Sequence, residues 1–123
     1  MTFLAIRGAT TCENDTKEDI TTATQDLVTQ MMSRNNIAQN QIISILFTAT
    51  ADLTQEFPAT AARGLGLDDI PLMCAQELSI AGSMPRCIRV MMHIESSKQR
   101  SEIHHVFMGQ AQALRKDLVE DET

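Results

Sequence analysis

The spacing of apolar residues changes period twice between Thr2 and Phe47, and this limits the fold more than any other feature. Residues 2–11, "TFLAIRGATT", alternate as a strand does. Phe3, Ala5, Arg7 and Ala9 share one face, and Leu4, Ile6 and Gly8 the other. From Lys17 to Arg34 the spacing becomes helical: Ile20, Ala23, Leu27 and Met31 form one stripe, widened by Val28 and Met32. Thr16 followed by Asp19 is a capping-box variant at the start of this helix, and Asn35 and Asn36 close it. Residues 42–47 are almost continuously apolar, as in a strand covered on both faces. Strand, helix and strand in this order predict a right-handed crossover.

Further along, "EFPATAARGLG" reads as a short helix, with Pro58 at its start and Gly64 and Gly66 at its end. "IPLMC" is a short strand, "AGSMP" a turn, and "RCIRVMMHIE" a fourth strand. After a polar connection, "IHHVFM" is strand-like and "GQAQALRKDL" gives one or two helical turns. No repeat or linker interrupts the chain, so its 123 residues are expected to form one domain, 1–123, of α+β class with a mixed sheet packed against helices.

Composition narrows the function. The net charge is −6, which leaves no surplus of cations to displace counterions from a nucleic acid. With four Phe and no Trp or Tyr, stacking surfaces for bases are scarce too. No apolar run approaches the ~18 residues of a membrane helix. Three cysteines, Cys12, Cys74 and Cys87, without a CxxC pair or a signal peptide, point to a reduced, cytoplasmic setting. Seven of the ten cations are Arg, the residue suited to two-pronged carboxylate recognition.

Two of those arginines raise a question. Arg89 shares a strand face with Cys87, Met91 and His93, and Arg7 repeats the pattern in the first strand. Either guanidinium could snorkel to solvent from a strand edge. Removing an ion from water costs several kcal/mol unless it is paired, so a bound anion is the other answer. Glu77 reads as the structural partner of an arginine, or as an acceptor for a ligand hydroxyl. Arg63 reads as a surface cation, and Arg115, beside Lys116, as part of a solvated tail. His104 and His105 face opposite sides of a strand and cannot readily share a metal. Cys74 has no activating His marked beside it, which argues against a nucleophile. The residues therefore point to a small acidic ligand held by arginines, without metal, cofactor or covalent chemistry.

Several segments occur together in order: "IRGATT", "FPA" with Arg63, Cys74 with Glu77, "CIRVMM", and "HVF" with "LR" at Leu114 and Arg115. In them the chain resembles, over almost its whole length, the monofunctional chorismate mutases of the AroH class, the trimeric Bacillus-type enzymes. The resemblance implies a homotrimer with a barrel-like centre and active sites between subunits. It also implies an isomerase that converts chorismate to prephenate, toward Phe and Tyr, with no cofactor. By the same match Arg89 points at the ether oxygen of the breaking bond. Arg7 holds a substrate carboxylate, and Glu77 accepts from the ring hydroxyl. Phe57, Ala59, Thr60, Arg63, Met73, Cys74, Phe107 and Leu114 line or border the pocket, and Arg115 closes over it. Three positions depart from the family pattern: Thr60 where Lys is frequent, Met73 where Thr is common, and Phe107 where Tyr is common. The rival reading is a non-catalytic trimer that binds a small carboxylic acid.

Overall fold

The computed structural model describes residues 1–113. Strand β1 (Thr2–Thr11) leads into helix α1 (Lys17–Arg34), followed by β2 (Ile42–Ala49), the short helix α2 (Pro58–Arg63), β3 (Leu72–Gln76), β4 (Cys87–Ser96) and β5 (Val106–Phe107). Single 3₁₀ turns span Gln39–Gln41, Arg100–Glu102 and Gly109–Ala113. The five strands make one mixed sheet in the order β3-β2-β4-β1-β5. β4 is central and antiparallel to both β1 and β2. β1 and β2 are therefore parallel to each other, but β4 lies between them. The strand–helix–strand unit is split because the later strand supplies pairing partners for both.

Period-2 alternation sorts the side chains of this sheet. Ile6, Ile45, Phe47, Ile88, Val90, Met92 and Ile94 are buried on one face. There they meet Ile20, Leu27, Val28 and Met31 of α1 and Ala59 and Ala62 of α2. Each large aliphatic side chain so covered contributes about 1.5–3 kcal/mol. Gly8 permits the close approach of α1. A Cβ there would lie 2.4 Å from Met31 Sδ and 3.1 Å from Leu27 Cδ1. Both helices lie on this face, so the expectation that β2 is covered on both sides is not met within one chain. Ile43 is 43% exposed and Leu46 half-buried.

The caps differ in detail from the sequence pattern. Thr16 Oγ1 accepts from Asp19 N at 3.1 Å, but Asp19 Oδ2 accepts from Asn14 N rather than closing the box on Thr16. Thr24, a polar residue outside the expected stripe, is fully buried, and its hydroxyl has no hydrogen-bond partner among the described residues. β5 is shorter than the strand-like run suggests. His104 and His105 precede it, so the opposite-face argument does not apply to them. The 3₁₀ turn Gly109–Ala113 stands for the start of the helical segment expected after β5.

Asn35 fastens the far end of α1. Its amide donates to Met31 O and to His104 O, both at 2.8 Å, and its Oδ1 accepts from His104 N at 2.7 Å. Its carbonyl accepts from Lys98 Nζ. One fully buried side chain thus joins the helix end to the connection between β4 and β5. Asn36 beyond it takes the left-handed conformation, φ 54°, that stops the helix. Asn35→Ala removes all three hydrogen bonds of this buried amide. It is expected to cost about 2–3 kcal/mol of stability, read from the shift in the urea unfolding midpoint.

Candidate active site

The sheet face turned away from the helices carries the arginines. The strand registers set its rows. Arg7, Met91, Leu46 and Met73 lie in one row, and Ala9, Arg89, Thr48 and Ala75 in the next. Glu77 follows β3 and is fixed to β2 by its N–H, which donates to Ala49 O at 2.9 Å. Its carboxylate then turns back over the second row. Thr48 Oγ1 donates to Glu77 Oε2, and Arg89 Nε stands 3.6 Å from the same oxygen.

This arrangement answers the question of a cation in an apolar strand only in part. Arg89 has a counter-charge, yet its Nε is buried and has no hydrogen-bond partner among the described residues. A buried donor left in this state costs about 1–3 kcal/mol. The guanidinium also borders Cys87. Burial pushes the Cys87 thiol up from its ordinary value, while Arg89 acts in the opposite direction. The thiol therefore stays neutral at pH 7 and does not cancel the charge of Arg89.

Arg7 is held from below. Its guanidinium carbon lies 5.8 Å from the centre of the Phe107 ring, a cation–π distance, and its backbone N–H donates to His105 Nδ1 at 2.9 Å. Phe107 itself is 3% exposed, packed with Ala9, Ala111 and Met84. Here the ring is a platform under Arg7 rather than an open wall.

The other residues singled out from the sequence sit elsewhere. Phe57, 68% exposed, and Cys74 line a cleft of about 480 Å³ between the 50–57 loop and β3. Thr60 and Arg63 are exposed on α2, with Arg63 Nη1 donating to Thr60 Oγ1 at 3.4 Å. Ala59 points into the core and is 4% exposed. Met73 is 66% exposed on the arginine face. Leu114 and Arg115 lie outside the described residues. The chain therefore brings Arg7, Glu77, Arg89 and Phe107 onto one face and puts the Phe57 group at the β3 edge and on α2.

Sequence reasoning missed the contacts that hold these parts. Thr48, His105 as a backbone acceptor, and a knot around Arg86 carry no motif. Arg86 has φ 48°, its N–H meets both Asp52 carboxylate oxygens at 3.0–3.1 Å, and its Nε donates to Cys12 O at 3.0 Å. A left-handed non-glycine residue just before β4 is the kind of strain that such double anchoring sustains.

With the geometry in view, comparison with known proteins gives its class. The family model for chorismate mutase type I matches residues 3–118. The chain belongs to that family. Among its relatives, "Chorismate mutase AroH" of Thermus thermophilus is 41% identical over 114 residues, covering 92% of this chain and 93% of its own. The protein of the same name from Bacillus subtilis is 38% identical over 119 residues, covering 96% and 94%. A solved chorismate mutase from Clostridium thermocellum aligns with a TM-score of 0.87 at 44% identity, over 89% of this chain and 97% of that one.

The cleft wall has its own anchor. Asp15 accepts from Thr54 N at 2.8 Å and Thr54 Oγ1 at 2.6 Å, which holds its carboxyl below the usual range. A lowered carboxyl stabilises the folded state above its ordinary value, 3.8, and loses that contribution as pH falls through the folded value. Asp15→Asn should imitate the acid state at neutral pH. The protection factor of the Thr54 amide, the slowing of its exchange relative to an unfolded chain at the same pH, is expected to fall in the variant, and in the wild type only below about pH 4.

Proposed function

We propose that the chain works as one chorismate mutase domain over residues 1–123, in a homotrimer whose sites lie between subunits. It is an isomerase that converts chorismate to prephenate, a step of aromatic amino acid biosynthesis. The single observation that carries the site assignment is the buried Arg89 Nε, which has a charge partner in Glu77 but no hydrogen-bond acceptor among the described residues.

In the rearrangement one C–O bond of the substrate breaks while one C–C bond forms, and no proton is exchanged with the protein. Negative charge grows on the ether oxygen as the C–O bond lengthens. A fixed guanidinium at that oxygen stabilises the transition state more than the ground state. Arg89 fits this role because Thr48, Glu77 and the strand ladder already orient it, so little reorganisation accompanies the reaction. Arg7, braced on Phe107, holds a substrate carboxylate, and Glu77 accepts from the ring hydroxyl. Cys74 contacts the ligand region without acting as a nucleophile. The remaining acceleration comes from binding the flexible substrate in its compact reactive shape. The reaction needs no cofactor, and a cytoplasmic setting suits its three free cysteines.

The trimer rests on two observations. Among the described residues helices cover one face of the sheet, and a layered fold is expected to bury both. The Phe57 group lies apart from the arginine face in one chain, so a site using both needs two copies. By the family resemblance Leu114 would border the site and Arg115 would close over it; both lie outside the described residues. Thr60, Met73 and Phe107 each remove a polar group that the family frequently has, which weakens substrate capture without touching Arg7, Glu77 or Arg89.

The test follows chorismate absorbance in the wild type, Arg89→Ala and Arg89→Lys. Arg89→Ala is expected to lose about 10²–10³ in kcat with its fold and assembly intact. Arg89→Lys should also be poor because the planar fork is lost. Equal rates in wild type and Arg89→Ala would remove Arg89 from the mechanism. No turnover by an intact wild-type trimer would leave the binding-only reading.

A further inference from the structure

We propose that Thr48 is a positioning residue for this reaction: its hydroxyl, bonded to Glu77 Oε2, keeps Glu77 from capturing the donor of Arg89 that the substrate needs. The inference rests on the functional reading above and adds a residue to it.

The argument starts from how carboxylates and guanidinium groups pair. Left to themselves they form close, two-pronged bonds with N···O distances of about 2.7–2.9 Å. Glu77 and Arg89 do not. Their closest approach through Nε is 3.6 Å, and that Nε is buried without a hydrogen bond among the described residues. Something must hold the carboxylate back. The sheet register identifies it. Thr48 is the direct cross-strand partner of Arg89 on β4 and of Ala75 on β3, one strand between the two groups. Its Oγ1 donates to the same Oε2 that faces Arg89. The Glu77 backbone is fixed independently, through its N–H to Ala49 O at 2.9 Å. Two anchors from neighbouring residues of one strand thus set both the position and the rotation of the carboxylate.

The arrangement divides the work of Glu77. Its charge stays close enough to compensate Arg89 in a half-buried site. Its Oε2 is occupied by Thr48, while Oε1 has no hydrogen bond among those described. Arg89 keeps an N–H that no described residue uses. A ligand that offers a hydroxyl to the carboxylate and an oxygen to the guanidinium would satisfy both at once. A β-branched hydroxyl residue is well suited here, because its χ1 is stiff and its donor direction is fixed by the strand.

Without the Thr48 hydroxyl the carboxylate is free to close onto Arg89, and the cation would be neutralised before substrate arrives. The expected damage therefore falls on kcat more than on KM. A hydrogen bond to a charged group corresponds to about a ten- to hundred-fold effect.

The experiment measures kcat and KM for chorismate with wild type, Thr48→Val, Thr48→Ala, Thr48→Ser, Glu77→Gln and the Thr48→Val/Glu77→Gln double variant. Assembly and thermal unfolding are recorded for each. Thr48→Val should lose about ten- to hundred-fold, mainly in kcat, and Thr48→Ser should restore most of it. In the Glu77→Gln background Thr48→Val should add less than about threefold, because the two residues act as one unit. If Thr48→Val does not fold, Thr48→Ala carries the same comparison. Wild-type rates in folded Thr48→Val or Thr48→Ala, a full independent loss in the double variant, or no rescue by serine would overturn the inference while leaving the mutase intact. A wild type that does not turn over chorismate would overturn the mutase reading itself, and Thr48 with it.

Discussion

The packing of α1 onto one face of the sheet is the constraint from which the rest follows. It is possible because Gly8 has no side chain where Met31 and Leu27 cross β1. That contact seals Ile6, Ile88, Val90 and Met92 from water and commits the alternate residues of the same strands to the opposite side. Period-2 geometry makes the commitment strict: a residue cannot serve the core without sending its neighbours outward. The arginines are on the open face because the helix claimed the other.

On that face the chain keeps charge under tension. Arg89 is compensated but not satisfied, and Arg7 is supported by an aromatic ring and by a strand whose N–H is spoken for by His105. Arg7 is braced rather than loose on the surface, and Arg89 is not locked into a close ion pair with Glu77. This is the state preorganised electrostatics asks for: dipoles and charges fixed by the fold, at distances the fold rather than the ligand decides. Its cost is carried by the core beneath, which gives stability enough to hold one donor unsatisfied.

The long elements were legible because each has a clean period. β1 and α1 begin and end where the sequence pattern predicts, and β4 is an alternating run with Arg89 on its non-core face. What could not be read is what depends on distant pairing. β4 lies between β1 and β2, which no local pattern states, and Thr24 is buried although its polarity assigns it to the helix exterior. Arg7, Glu77 and Arg89 are found in the sequence as chemically odd residues and by family resemblance. Thr48 is invisible by either route, since a threonine in a strand is ordinary until its cross-strand partner is known. The same holds for Asp52 and Arg86, and for His105, whose histidine pair suggests nothing about a backbone amide 98 residues earlier.

The position of β4 at the centre of the sheet also shapes how the chain comes into being. Thr2 pairs with Ser96, and every rung of the β1–β4 ladder joins residues far apart in sequence. As the chain leaves the ribosome, β1, α1 and β2 emerge with no strand to join them, and the apolar stripe of α1 has little sheet to rest on. Only when residues 87–96 arrive can the two halves be zipped together. Such long-range closure slows folding and leaves hydrophobic surface exposed while the chain waits. The strand that carries the central arginine is therefore also the one that completes the fold, so a chain cut short before it would lack the sheet as well as the site.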